Sequence, residues 1–201
     1  MKADYNSISE DWKKQRQKLP EKDGMLFEAF INGIPDKSNI LDLGCGNGVP
    51  VAQLLSTRGF QVTGIDYSTN LLEQARTNLP NIRFEQSDIE NYEISETYDG
   101  IVLWDVLFHL PRKAHQPLLS KIYAALPQNG LFIVSSGGSD NDLPPFTDFM
   151  FGVEFHYDSY PVNEFISICE NIGFTVTNFE VVNTPNGERD KGRIGVVLSK
   201  A

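Results

Sequence analysis

Short apolar segments alternate with helical patterns along most of the chain. Seven segments rich in β-branched and aromatic residues are typical of strands. They are Asn39–Leu43, Gln61–Ile65, Ile82–Gln86, Gly100–Trp104, Leu131–Ser135, Thr175–Val182 and Arg193–Leu198. Between most of them, apolar residues recur with the spacing of amphipathic helices. This alternation predicts a parallel, doubly wound α/β sheet.

The last two apolar segments break the alternation, because only the polar turn Thr184–Lys191 separates them. We therefore predict that they form an antiparallel hairpin. Local signals agree with these boundaries, since Ser68 can cap a helix and Gly173 lies where a helix should stop. No repeat, low-complexity tract or internal linker is visible, so one domain over residues 1–201 is expected.

The composition is that of an ordinary globular protein, with 40% hydrophobic and 22% charged residues. No apolar run approaches the ~20 residues that span a bilayer, and the polar N-terminus has no signal-peptide core. We expect a cytoplasmic protein without a membrane partner. Two cysteines and three histidines, scattered along the chain, suggest neither a disulfide framework nor a metal site.

The formal net charge of −10 bears on the class of partner. Nucleic-acid binding depends on clustered Lys and Arg, so this charge argues against a nucleic-acid partner. The basic residues around Arg16 lie among acids on a predicted helix, where a solvated face explains them. The balance favours a small-molecule substrate and a monomer or homodimer.

The segment Ile40–Pro50 follows the first predicted strand and contains glycine at three alternate positions, Gly44, Gly46 and Gly48. Ligands of an open parallel sheet bind beyond the carboxyl ends of its strands. A dinucleotide fingerprint would need glycine where Val49 stands, and the Gly-Lys-Ser/Thr ending of a P-loop is absent. Asp42 would repel a pyrophosphate but attract an ammonium or sulfonium group. The turn therefore favours a nucleoside that carries positive charge.

The run LDLGCGNG resembles the first motif of the class I S-adenosylmethionine-dependent methyltransferases. That family has a Rossmann-like, seven-stranded α/β sheet with an antiparallel C-terminal hairpin, as predicted here. VTGIDYS, RFEQSDIEN, YDGIVLWDVLFHL and ALPQNGLFIVSS resemble its later motifs, in order, up to Ser136. The resemblance implies S-adenosyl-L-methionine as the cofactor.

The resemblance also implies roles for individual residues. Asp66 would bind the ribose hydroxyls, and Tyr67 would lie over the adenine. Asp88 would face the adenine amino group, while the backbone of Ile89 reads the ring edge. The predicted cofactor-binding set is Asp42, Gly44, Cys45, Gly46, Gly48, Asp66, Tyr67, Asp88, Ile89, Trp104 and Arg16. Asp42, Asp66, Asp88 and Trp104 also have plain structural interpretations, as turn, cap or core residues.

The N-terminal segment YNSISEDWKKQR resembles a helix that many of these enzymes fold over the site. By that resemblance residues 1–33 form a helical cap, in which Trp12 walls the cofactor and Arg16 reaches its carboxylate. A plain surface helix is the alternative. Trp104 and Asp105 would lie at the methionine end of the cofactor.

Methyl transfer from a sulfonium is an in-line displacement, so a dry and well-aligned pocket can supply most of the rate enhancement. A general base is needed only when the nucleophile must lose a proton. His109 is the leading candidate, because it follows the fourth strand near the expected methyl position, although it could also serve only to fix the loop. Asp105 is a second candidate, and His156 a third.

Residues 137–160 form a long, aromatic-rich segment that we predict to be a substrate lid, with a helix packed on the core as the alternative. The sequence as a whole predicts a methyltransferase acting on a small molecule. The alternatives are a protein methyltransferase, a non-catalytic regulatory partner that binds the cofactor, and a dehydrogenase with an unusual glycine turn. No Asn/Asp-Pro-Pro-aromatic run occurs at Trp104, which disfavours DNA as substrate.

Overall fold

The computed structural model describes residues 4–186 and 191–200. Within them, the strands are β1 (Asn39–Leu43), β2 (Gln61–Asp66), β3 (Arg83–Gln86), β4 (Gly100–Leu103), β5 (Leu131–Gly137), β6 (Phe146–Met150), β7 (Val153–Tyr157), β8 (Phe174–Asn183) and β9 (Arg193–Lys200). The helices are α1 (Ser9–Gln15), α2 (Glu21–Asn32), α3 (Val51–Thr57), α4 (Thr69–Asn78), α5 (Arg112–Ala125) and α6 (Val162–Ile172), with a 3-10 turn at Leu107–His109.

Seven strands form one sheet in the order β3-β2-β1-β4-β5-β9-β8. The first five are parallel, β9 is antiparallel to β5, and β8 is antiparallel to β9. This confirms the predicted sheet and its C-terminal hairpin, although the turn between β8 and β9 lies in part outside the described residues. The strand order reverses between β1 and β4, which places a ligand-binding crevice at their carboxyl ends.

Both faces of the sheet are covered, because side chains alternate between them along each strand. Ile40 and Val102 face a core built with Phe27 and Phe30 of α2. Leu41 and the other face of the sheet pack against α5 and α6. Only the α1 part of the predicted N-terminal cap is therefore free to cover a site, since the apolar stripe of α2 is part of the core.

The segment 137–160 contains a second, two-stranded sheet, β6 and β7. The helix alternative is wrong, because β6 and β7 pair as antiparallel strands over their whole length. Phe151 and Gly152 form the turn with positive φ values of 52° and 80°, as tight hairpins require.

None of the helices in the described parts of the chain is long and apolar enough to cross a membrane. Cys45 and Cys169 are buried free thiols. Among residues 4–186 and 191–200, no three His, Cys, Asp or Glu side chains are grouped to hold a metal ion.

Candidate active site

Residues at the carboxyl ends of β1 to β4 line a cavity of about 320 Å³, which we call the central cavity. Nine of the predicted site residues line it, namely Gly44, Gly46, Asp66, Tyr67, Asp88, Ile89, Trp104, Asp105 and His109. Tyr5 and Trp12 line it from the N-terminal segment. The cavity lies where an open α/β sheet binds its ligand.

The glycine-rich turn after β1 holds left-handed backbone conformations. The φ angle is +79° at Gly44 and +55° at Gly46, values that other residues rarely adopt. A Cβ at Gly44 would clash with the side chain of Val106. Gly46 lines the central cavity, and its backbone N–H donates a 2.8 Å hydrogen bond to Asp66. The turn therefore brings bare backbone to the cavity wall.

Gly48, the third glycine of the turn, is closely packed, and its contact with a cofactor stays a prediction. Its φ is +77°, and a Cβ there would lie 2.8 Å from Cδ1 of Leu79 and 3.3 Å from Cζ of Phe84. It is not among the described residues that line the central cavity. Close packing explains this glycine without a contact to a cofactor.

Asp66 ends β2 with a buried carboxylate that lines the central cavity. Its Oδ2 accepts the bond from Gly46, and its Oδ1 accepts a 2.8 Å bond from the N–H of Ser68. Burial raises the pKa of Asp66, and these backbone hydrogen bonds oppose the shift. Ser68 caps α4 as predicted, by accepting from the N–H of Leu71. Each carboxylate oxygen can accept a second bond, so Asp66 could also bind a pair of hydroxyls.

Asp42 is a buried acid of β1 whose Oδ2 makes no hydrogen bond with the described residues. Burial raises the pKa of Asp42 to about 7, and the charge of Asp66 adds to the shift. Asp42, Cys45 and Arg16 line a space of about 50 Å³, which we call the small cavity. A buried carboxylate oxygen without a donor is costly, so the small cavity fits a cationic donor such as an ammonium group.

Asp88 and Ile89 follow β3 at the central cavity. The side chain of Asp88 also organises a turn, because its Oδ2 accepts a 2.7 Å bond from Nδ2 of Asn91. The hydroxyl of Tyr67 accepts a 3.4 Å bond from the backbone N–H of Tyr5. The N-terminal segment is thereby tied to the end of β2.

Asp105 follows β4 with a φ of +57°, a strained conformation for a residue other than glycine. Its Oδ2 accepts a hydrogen bond from Arg16, and its Oδ1 accepts a 2.5 Å bond from Arg193. The hydroxyl of Ser135 accepts from the N–H of Asp105 at 2.7 Å and donates to Oδ1 at 3.1 Å. Burial alone would raise the pKa of Asp105, but the charges of Arg16 and Arg193 outweigh it and lower the pKa. Both oxygens are in use, which does not favour Asp105 as a general base.

Arg193 extends this network to α2. Its Nη2 donates to both oxygens of the fully buried Asp23, at 2.8 Å each. Nε1 of Trp104 donates to the same carboxylate at 3.1 Å. The four charges alternate in sign and sum to zero, in the order Asp23, Arg193, Asp105 and Arg16. Buried charges need such pairing.

His109 lies in the 3-10 turn after β4, and the ring centroid of Tyr157 is 4.8 Å from its own. Its Nδ1 is 3.0 Å from the backbone oxygen of His156. Only a protonated ring nitrogen can pair with a carbonyl, so Nδ1 carries the hydrogen and Nε2 is the acceptor. Burial lowers the pKa of His109 to about 4, so the ring is neutral near pH 7.

A further cavity of about 540 Å³, called the outer cavity, adjoins the central one. The residues that line both are Tyr5, Trp12, Asp105 and His109. Other walls of the outer cavity come from α1 and from Met150, Phe151 and Tyr157 of the segment 137–160. The role of this segment as a substrate lid stays a prediction.

Comparison with known proteins indicates the family. Residues 40–130 match a family described as a methyltransferase domain. A carboxy-S-adenosyl-L-methionine synthase from Haemophilus ducreyi is 34% identical over 121 residues, 56% of this chain and 48% of that protein. A trans-aconitate 2-methyltransferase from an Enterobacter species is 35% identical over 102 residues, 50% of this chain and 40% of that protein. The chain spans less than half the length of these relatives. These similarities support a class I S-adenosylmethionine-dependent methyltransferase domain over residues 40–130.

The fold of the chain is also found in solved structures. One is a 1,6-didemethyltoxoflavin-N1-methyltransferase from Burkholderia thailandensis, with bound 1,6-didemethyltoxoflavin and S-adenosylhomocysteine. It superimposes with a TM-score of 0.73 over 98% of this chain and 84% of its own, at 19% identity. The predicted Rossmann-like methyltransferase fold is confirmed. The match to a methyltransferase domain supports the predicted cofactor, S-adenosyl-L-methionine.

Sequence patterns did not identify three residues that line or support the candidate site, Tyr5, Asp23 and Arg193. A signal existed for Asp23, which stands three residues before Leu26 on the apolar face of a helix, where an acid needs a partner. A weaker signal existed for Tyr5, which precedes Trp12 by about two helical turns. Arg193 had none, since it begins an ordinary strand.

Proposed function

We propose that this chain transfers the methyl group of S-adenosyl-L-methionine to a small-molecule acceptor. The observation that carries the proposal is the junction between the central and outer cavities, where both are lined by the same four side chains. A cofactor in the central cavity and an acceptor in the outer cavity would meet there. Such a junction provides the alignment that an in-line displacement needs.

The residues around the central and small cavities fit the proposed cofactor. Asp66 would accept hydrogen bonds from the ribose hydroxyls, and the unpaired Oδ2 of Asp42 would accept from the ammonium group. The bare backbone at Gly46 leaves room for the ligand. Arg16 lines the small cavity and would bind the carboxylate. When bound, S-adenosyl-L-methionine supplies a methyl group activated by a sulfonium leaving group.

The chain's aromatic side chains would exclude water from the junction. Trp12 packs at 5.1 Å from Tyr5, and both line the two cavities. Asp105 is assigned a positioning role, because its two arginines hold it ionised and fully hydrogen-bonded. A dry, preorganised surface of this kind favours a transition state in which charge disperses.

His109 is assigned the role of proton acceptor. Its Nδ1–H is held by the carbonyl of His156, so Nε2 would accept a hydrogen bond from an O–H or N–H nucleophile. As the bond from the nucleophile to the methyl carbon forms, the nucleophile becomes a much stronger acid. Even an imidazole with a pKa of about 4 can then take the proton.

A small-molecule acceptor is favoured over a peptide because the outer cavity is walled by α1 and the β6–β7 hairpin. The names of two similar proteins point the same way, since they specify trans-aconitate and 1,6-didemethyltoxoflavin. A protein methyltransferase would need an open groove for its peptide substrate. A non-catalytic partner would need no acceptor site.

Calorimetry and turnover test the proposal together. We expect the protein to bind S-adenosylhomocysteine and not NADH. It should also move a labelled methyl group onto members of a metabolite panel, and not onto a panel of basic peptides. Binding of NADH alone would overturn the proposal, and binding of S-adenosylhomocysteine without turnover on either panel would favour a regulatory partner.

Asp66→Ala is expected to weaken S-adenosylhomocysteine binding by about 2 kcal/mol, roughly thirtyfold in Kd, through loss of charge-assisted hydrogen bonds to the ribose. Calorimetry measures the change. Asp36→Ala is the matched control, because Asp36 is exposed and precedes the amino end of β1. Equal affinities of the Asp66 and Asp36 variants would show that the ribose is not placed at Asp66.

A further inference from the structure

One cation of the site faces the outer cavity but not the cavities assigned to the cofactor. Arg193 lines the outer cavity, whereas neither the central nor the small cavity includes it among its described residues. Arg16 instead lines both the outer and the small cavity. The two guanidinium groups therefore have different surroundings. Arg16 lies at the small cavity, which is assigned to the amino-acid end of the cofactor, and Arg193 lies at the outer cavity, which is assigned to the acceptor.

The hydrogen bonds of the ion-pair network leave donors in excess at the outer cavity. All four carboxylate oxygens accept bonds, because those of Asp23 are used by Arg193 and Trp104, and those of Asp105 by Arg16, Arg193 and Ser135. A guanidinium has five N–H donors. Among the described residues, Arg193 donates through Nη1 and Nη2 only, and Arg16 through Nη2 only. Arg16 and Arg193, which both line the outer cavity, therefore keep N–H donors that no described residue accepts.

Arg193 is also held rigidly, which suits it to recognition. Its side chain is 15% exposed, and its two terminal nitrogens are fixed on two buried acids. Its guanidinium lies 5.5 Å from the ring centroid of Trp104. A fixed planar fork loses little entropy on binding a planar anion.

Much of the remaining wall of the outer cavity is apolar. It contains Phe108 and three residues of the hairpin, Met150, Phe151 and Tyr157. Phe108 and Tyr157 stack with centroids 6.1 Å apart and an angle of 19° between the rings. Flat apolar walls bind flat apolar bodies.

We propose that the methyl acceptor is a small molecule with a flat, apolar body and a carboxylate, and that Arg193 binds this carboxylate. The inference rests on the proposed function and names the substrate class of the same site. The planar carboxylate matches the planar donor fork. The residues of the β6–β7 hairpin would contact the flat, apolar body of the acceptor. His109, at the junction of the two cavities, would face the group to be methylated.

Binding of matched probes tests the inference without an identified acceptor. Benzoate, phenylacetate and 1-naphthoate are compared with benzamide, phenylacetamide and 1-naphthamide by ligand-observed NMR titration, on protein saturated with S-adenosylhomocysteine. We expect each carboxylate to bind about tenfold more tightly than its amide. Equal or tighter binding of the amides would overturn the inference without any variant.

Variants then locate the anion site. Arg193→Lys keeps the charge but loses the fork, and Arg193→Gln loses both, so the acid-to-amide preference should shrink to about threefold or less. Arg58→Lys, on the exposed pair with Glu28, is the matched control and should keep the full preference. Retained S-adenosylhomocysteine binding shows that a variant is folded. A full preference in Arg193→Lys would place the anion elsewhere and overturn the assignment.

The two proposals fail differently. Protein that binds S-adenosylhomocysteine but prefers the amides refutes the substrate class and leaves the proposed function intact. Protein that does not bind S-adenosylhomocysteine refutes the proposed function, and the substrate class falls with it.

Discussion

His109→Ala is expected to lower kcat by about 10²–10⁴-fold for an acceptor that is methylated at an O–H or N–H group. This is the usual effect of removing a general base. The affinity for S-adenosylhomocysteine should change little. The side chain is placed for this role because it lines both cavities and its tautomer is fixed by the carbonyl of His156. Initial rates of labelled-methyl transfer measure the effect.

The pH profile separates this role from a structural one. Burial lowers the pKa of His109 to about 4, so the part of the rate that depends on His109 should fall as the pH drops through about 4, and not near the ordinary value of 6.5. A fall centred near 6.5 that is present in the wild type and absent from His109→Ala would mean that the ring is exposed to water and not held as described. His156→Gln is the matched control, since it preserves the carbonyl that orients His109 and should keep most of the activity.

The titration of His109 also predicts the direction in which the stability of the protein changes with pH. Between pH 6.5 and 4, the unfolded chain protonates this histidine while the folded protein keeps it neutral, so stability is lost as the pH falls. The loss amounts to about 3 kcal/mol across that window. His109→Ala lacks the titration, and its unfolding free energy should therefore fall less than that of the wild type. Parallel pH dependences of the two proteins would contradict the buried, neutral ring.

Much of the cofactor side of the site could be predicted from sequence, for a geometric reason. Asp66, Asp88 and Trp104 are far apart in the chain, but each lies at or just after the carboxyl end of a parallel strand. Parallel strands bring these ends to one edge of the sheet. Once strand order is known, local motifs are enough to place such residues together.

The acceptor side could not be predicted in the same way. The bonds between Asp23 and Arg193 join residues 170 positions apart, on a helix and a strand whose contact depends on packing of the whole core. Periodicity marks Asp23 as unusual but does not identify its partner. The β6–β7 hairpin was missed because its aromatic residues fit a strand or a helix equally well when no partner strand is known.

Gly48 shows the limit of motif transfer. It matches the family pattern by position, and its positive φ agrees with a glycine. A Cβ at this position would nevertheless meet Leu79, Phe84 and Ala75, so packing is sufficient to explain it. A motif fixes the backbone conformation of a turn more reliably than it fixes which of its residues touch a ligand.

Asp23→Ala is expected to destabilise the protein by about 3–5 kcal/mol, because it leaves a buried guanidinium partly unpaired. Asp23 is fully buried and accepts from Arg193 and Trp104. Urea unfolding measures the loss, which corresponds to roughly 10 °C in Tm for a domain of this size. Glu28→Ala on the same helix is the matched control. Its pair with Arg58 is about half exposed, so the change should stay within about 1 kcal/mol.

The double variant Asp23→Leu with Arg193→Met separates two quantities: the net contribution of the ion pair to the free energy of unfolding, and the destabilisation caused by removing only one partner. Replacing both partners by apolar residues removes the unpaired charge, so the double variant should be more stable than Asp23→Ala. It also releases one of the two arginines that hold Asp105 in its strained conformation. Binding of aromatic carboxylates should then be lost while the fold survives. If the double variant is instead less stable than Asp23→Ala, the ion pair itself contributes net stability. The protein would then need these two charged side chains for folding as well as for recognition of the carboxylate.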